Sequence, residues 1–198
     1  MIDRRMMLAT LGGVLAARAA GAHDGHTHHE PAAAGARRLE GRYAMPHAPL
    51  TDQAGARADL AQALDRPGPV LMNFIFTTCP GICPVLSAVF AETAAELGAD
   101  LRRARLWSIS IDPDYDTPER LRAYAAQFDA PPEWRFFTGA PAAVNAVRDA
   151  FDALDDIKMA HSPLILLRRS GDAWLRFEGW TTPAETLAAE VRAALAQG

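Results

Sequence analysis

The run Val70 to Phe76 is continuously apolar, the pattern of a strand covered on both faces, and it delivers Thr77, Thr78 and Cys79 to its carboxyl end. Immediately after it, Leu86, Val89, Phe90, Thr93 and Leu97 recur at helical spacing, with Pro84 fitted to a first turn and Gly98 to a stop. Leu106 to Ile111 alternates as a second strand, and Thr117-Pro118 opens a second helix whose apolar face is Leu121, Tyr124, Ala125 and Phe128. A strand over Trp134 to Thr138 and a helix over Pro141 to Phe151 follow. The chain closes with a hairpin, Leu164 to Leu167 and Trp174 to Phe177 about a turn at Ser170-Gly171-Asp172. A last helix bears Leu187, Val191 and Leu195 behind a capping box at Thr182-Pro183-Ala184-Glu185.

This order predicts an α/β domain with a central mixed sheet flanked by helices. It resembles the thioredoxin-like fold with one strand and one helix inserted before the C-terminal hairpin. Open sheets of this kind place chemistry at the carboxyl ends of their strands, which is where Cys79 falls. At 198 residues and 49% hydrophobic content the chain suits one core. Its 24 acidic and 20 basic residues are interspersed and sum to −4, which offers no basic field for nucleic acid, so no nucleic-acid partner is expected.

The first 22 residues read as an address. Arg4 and Arg5 precede an apolar run from Met6 to Ala17, and small residues end at Ala20-Gly21-Ala22, the three regions of a secretory signal, with the arginine pair also compatible with twin-arginine export. The run is too short to span a bilayer, which needs about 20 apolar residues. Residues 23–38 follow as a tail and linker that hold His23, His26, His28 and His29, and the folded domain is expected over 39–198. Imidazole-rich tracts collect copper and zinc, although a solvated tail without specific affinity has the same composition. Export places the protein in the periplasm, with an inner-membrane tether if the signal is retained. There two cysteines can serve as a disulfide, a redox couple or a metal site.

Thr78-Cys79-Pro80-Gly81-Ile82-Cys83-Pro84 sets two thiols four positions apart where a strand runs into a helix. Unpaired N–H groups and the positive end of the helix dipole favour thiolate there, so at least one of the two should titrate low. Thiolates are soft ligands for Cu(I) or zinc, and with two cysteines a third ligand has to be His, Met or a carboxylate. His161, in Met159-Ala160-His161-Ser162-Pro163, precedes the strand from Leu164 and is the candidate, because that loop faces the cysteine loop in a thioredoxin-like sheet. Two thiolates and one imidazole suit Cu(I) and can hold Cu(II). The same pair without His161 is the equipment of a thiol–disulfide oxidoreductase, with Cys79 attacking and Cys83 resolving.

Three segments, Phe76-Thr77-Thr78-Cys79-Pro80-Gly81-Ile82-Cys83-Pro84, Ile111-Asp112-Pro113-Asp114-Tyr115-Asp116-Thr117-Pro118 and His161-Ser162, resemble in order and spacing the signatures of the Sco/SenC family of copper chaperones. The resemblance runs from Leu50 to Gln197. It implies that Cys79, Cys83 and His161 bind copper and that the protein is a copper metallochaperone, with which a thiol–disulfide reductase activity of the same pair can coexist. The implied recipient is the subunit of cytochrome c oxidase that carries the CuA site, or another copper acceptor. The chain departs from the family pattern at Ala160, where an Asp is usual, and at Tyr115, where an Arg is common. Pro163 stands where thioredoxins carry a cis-proline facing the active cysteines.

The remaining chemistry-bearing residues read as structural. Asp112 and Asp116 fit strand termination and helix-start chemistry near the site. Met45 and Met159 are soft but read as core filler, and Trp107, Trp134, Trp174 and Trp180 as packing or interface residues.

Overall fold

A computed structural model describes residues 37–154, 163–179 and 182–197. The expected signal over 1–22, the four histidines of the tail, His161, Met159, Ala160 and Trp180 lie outside the described residues.

The strand predicted from Val70 forms as β4 (Val70–Ile75), buried along its whole length. It owes that burial to its position. Among the described residues one mixed sheet has the order β1-β8-β7-β4-β5-β6-β2-β3, with β5 (Arg105–Ser110) parallel to β4 on one side and β7 (Leu164–Ser170) antiparallel to it on the other. β6 (Trp134–Gly139) continues the parallel set, and β8 (Ala173–Glu178) closes the hairpin with β7. The fold is the expected thioredoxin-like one.

Helix α2 (Ile82–Leu97) follows β4, and Pro84 sits in its first turn, where a missing N–H deprives the helix of nothing. Its stop is Gly98, at φ +53°. Leu86, Phe90 and Leu97 are buried, and α5 (Ala184–Leu195) lies alongside. Arg192 of α5 donates to the carbonyl of Glu96 at 2.5 Å, placing a cation at the negative end of the α2 dipole. α3 (Pro118–Ala126) joins this layer through a bond of 2.9 Å between the hydroxyls of Ser87 and Tyr124. The connection from β6 back to β7 carries α4 (Pro141–Ala150), after which Phe151 meets Trp174 of β8 edge to face at 4.8 Å. Trp107, Trp134 and Trp174 are core residues, and Met45 is buried with them.

Four short elements precede β4 and have no counterpart in the sequence reading. They are β1 (Arg37–Arg42), β2 (Pro49–Asp52), β3 (Arg57–Asp59) and the single turn α1 (Leu60–Ala63), capped by the Asp59 carboxyl. β1 takes in Arg37 and Arg38, which the pattern assigned to the linker. It is an exposed edge strand fastened by pairing to β8 and by ion pairs Arg37–Glu178 at 2.7 Å and Arg38–Glu190 at 2.6 Å, so it carries no apolar alternation to read. At the other end of the chain the predicted capping box does not form. α5 starts one residue later, with Pro183 in the cap position and no side-chain cap bond, and Thr182 is buried instead.

Candidate metal and redox site

β4 and β5 run parallel, so the loops that leave them emerge at the same end of the sheet. The loop after β4 turns at once, Cys79 N–H donating to the carbonyl of Phe76 at 3.1 Å, and α2 begins three residues later. The Gly81 cap has no side chain to offer the unpaired amides of the first turn. The Cys79 sulfur fills that role, accepting the N–H of Cys83 at 3.4 Å. The helix start and the thiol are therefore coupled, as the strand-to-helix reading anticipates.

The two cysteines are unbridged and unlike each other. Cys79 is half-buried, whereas Cys83 is fully buried in the core at the base of the loop. Burial pushes the Cys83 thiol well above its ordinary range, its hydrogen bond with the Cys79 sulfur raises it further, and the Phe76 N–H offsets only part of this. Desolvation is the largest influence on Cys83, so this thiol is not the lowered one that the sequence pattern expects of the pair.

Asp116 organises the loop from the neighbouring strand. Its carboxyl oxygens accept from Thr77 Oγ1 at 2.5 Å, from Ser110 Oγ at 2.5 Å and from the Thr77 N–H at 3.2 Å, and it is fully buried. The structural reading of Asp116 holds, though not as a helix cap. Thr117 caps α3 by accepting the Arg120 N–H, while Asp116 turns inward and ties the two loops together. The carbonyl of Asp112 accepts the N–H groups of Tyr115 and Asp116, which shapes the same turn. Tyr115 is exposed, and the Arg120 guanidinium lies over its ring at 3.7 Å from the centroid. An arginine charge thus stands at the rim even though the chain has Tyr115 where Arg was the resemblance's expectation.

The sequence reading missed the layer beneath the pair. Ser87 sits one helical turn below Cys83, and its partner Tyr124 has its phenol pushed well up, first by burial and then by the nearby Cys83, Cys79 and Asp116, against the Ser87 bond. A serine at i+4 from Cys83 on an otherwise apolar face was the available signal.

Among the described residues no group of three or more His, Cys, Asp and Glu side chains converges on a metal position. Cys79 and Cys83 contribute two sulfur donors, and the expected third ligand, His161, lies outside the described residues, as does the Ser162–Pro163 bond. The pairing Asn73↔Ile165 does place the start of β7, and hence Pro163, at the end of the sheet where β4 terminates.

Comparison with known proteins converges on one group. The family model described as SCO1/SenC matches residues 36–196. The SCO1 protein homolog of Bacillus subtilis (strain 168) is 37% identical over 70 residues, which is 35% of this chain and 36% of that protein. The aligned segments thus span about a third of the length of the curated relatives that the chain matches. Copper-bound ScoI of Bradyrhizobium japonicum superposes with a TM-score of 0.63 at 25% identity, covering 79% of this chain and 99% of that one. BsSco, a member of the Sco family of cytochrome c oxidase assembly proteins in which a disulfide switch was identified, shares the fold with a TM-score of 0.68 at 24% identity, over 79% and 96% of the two chains.

Proposed function

Since the chain belongs to the SCO1/SenC family, we propose that it is a periplasmic copper metallochaperone that binds copper through Cys79, Cys83 and His161 and delivers it to, or prepares, the CuA site of cytochrome c oxidase. Copper is its cargo, taken up as Cu(I) or Cu(II). The observation that carries this reading is the unbridged pair at the head of α2, one sulfur reachable and one buried, on a fold shared with a copper-bound relative. Two soft donors where the loop meets α2, one of them half-buried rather than enclosed, suit a cation that has to be passed on through shared ligands. His161 belongs to the segment that leads into Pro163 at the same sheet end, which supports its assignment as third donor.

The N-terminal pattern at Arg4 to Ala22 supports export to the periplasm, with a tether to the inner membrane where the signal is retained. The test is an anaerobic titration of the reduced protein with Cu(I) against a chromophoric chelator, beside Cys79→Ser and His161→Ala. One tight equivalent that weakens sharply in both variants is expected. Equal affinity in all three proteins would refute the ligand set.

A second reading is favoured by the asymmetry of the pair. A half-buried Cys79 whose sulfur already accepts an N–H, next to a buried Cys83, is the geometry of an attacking and a resolving thiol in disulfide exchange. In that reading Cys79 attacks a substrate disulfide, the leaving thiol departs, and Cys83 then displaces the reduced substrate to close the Cys79–Cys83 disulfide. Loss of exchange in Cys79→Ser with full exchange in His161→Ala distinguishes it from copper transfer.

A further inference from the structure

At the end of the sheet opposite the cysteines, the amino ends of β4, β5 and β6 frame a cavity of about 680 Å³. β4 alone separates the two ends by about 20 Å at roughly 3.3 Å per residue, so this cavity belongs to no part of the site described above. Its walls include Arg66, Arg102, Arg103, Arg105, Arg135 and Arg169, against the single carboxylate of Glu133. That concentration runs against the net charge of −4 carried by the whole chain.

The six arginines are not equally neutralised. Arg135 pairs with Asp52 at 2.5 Å and Arg169 with Glu40 at 3.3 Å. The other four have no carboxylate within ion-pair distance among the described residues. Arg103 donates to the carbonyl of Leu195 at the end of α5. Arg105, half-buried, spends its guanidinium on the carbonyls of Ala63, Arg66 and Gly68. Burial, then the charges of Arg168 and Arg66, pull its pKa down to about 10, the mark of a cation balanced by dipoles alone. Arg66 and Arg102 are exposed on the walls, with no side-chain partner among the described residues.

The walls are also stiff. Arg105 ties down the loop that holds Arg66, and Gly68 in that loop has φ +102° with its Cα packed so closely on the Arg103 carbonyl that a Cβ would lie 2.3 Å from that oxygen. Pro67, Pro69 and Pro132 complete the frame. A concave, prebuilt cluster of planar guanidinium donors is suited to an oxyanion that can take several forks at once, and phosphate groups have that shape and charge.

We infer that this cavity is an anion-binding site for a multiply charged phosphate, held by Arg66 and Arg102 on a frame fixed by Arg105. The phosphate can be free in solution or the headgroup of an anionic lipid. The experiment uses the full chain, freed of metal, in two arms. In the first, inorganic pyrophosphate is titrated by calorimetry at fixed salt. In the second, the chain is co-sedimented with vesicles of phosphatidic acid in phosphatidylcholine, and with phosphatidylcholine alone.

Each arm is repeated with Arg66→Gln/Arg102→Gln, whose exposed positions spare the core, and with Arg37→Gln/Arg120→Gln at the cysteine end as a charge-matched control. Circular dichroism confirms that all three proteins fold. Saturable binding in at least one arm, weakened about tenfold or more by the Arg66/Arg102 pair and unaffected by the control, is expected. The responding arm identifies the source of the phosphate. Absence of binding in both arms, binding that survives loss of Arg66 and Arg102, or an equal loss in the control would overturn the assignment.

Discussion

The hydroxyl of Thr77 donates to a carboxyl oxygen of Asp116 at 2.5 Å, which fastens the loop leaving β4 to the loop leaving β5. The first carries Cys79 and runs into α2, whose first turn holds Cys83. Asp116 also accepts from Ser110 and from the Thr77 amide, so three donors turn on one buried side chain. Asp116→Ala leaves all three without their acceptor, that of Ser110 in the interior and those of Thr77 half-buried, and a loss of about 3 kcal/mol in unfolding free energy is expected from urea denaturation, with Asp116→Asn losing less. A midpoint unchanged in the Ala variant would contradict the role given to Asp116.

The contrast between half-buried Cys79 and fully buried Cys83 predicts stepwise alkylation. Iodoacetamide at neutral pH should label one thiol per native molecule, Cys79, with the second following only on unfolding. Peptide mapping decides the matter. Simultaneous labelling of both, or labelling of Cys83 first, would show that the core does not enclose Cys83.

An alkaline limit to stability follows from the two buried acids beneath the loop. Burial, first among the causes, raises both the Cys83 thiol and the Tyr124 phenol. The unfolded chain releases these protons near their ordinary values of about 8.5 and 10 while the folded one retains them. Stability from this source is therefore complete below about pH 8.5 and declines as pH rises. Melting temperature should fall from that point upward. Cys83→Ala should flatten the decline from about pH 8.5 upward, and Tyr124→Phe only above about 10. Identical alkaline slopes in both variants and the wild type would remove these groups as its cause.

Where periodicity was strong, the sequence was sufficient. Val70 to Ile75, the face of α2 from Leu86 to Leu97, and the Thr117 cap of α3 all lie where the pattern of side chains put them, because each is decided by local chemistry and by burial in one core. β1 to β3 escaped notice because they are held by pairing with strands far along the chain. A three-residue strand such as Arg57–Asp59 carries too few positions to show a period. At the site the cysteine loop was legible from residue type and spacing alone. The links from Asp116 to Thr77 and from Ser87 to Tyr124 were not, since they join residues 39 and 37 positions apart, and only the parallel course of β4 and β5 brings them together.

α2 begins with a bare glycine, and the Cys79 sulfur supplies the acceptor that the amide of Cys83 needs. One lone-pair donor thus answers both to the backbone and to whatever arrives from outside. The far end stays anchored by Arg192. The sulfur at the near end thus serves the backbone and the site together, so truncating Cys79 removes a cap bond from α2 as well as a donor from the pair.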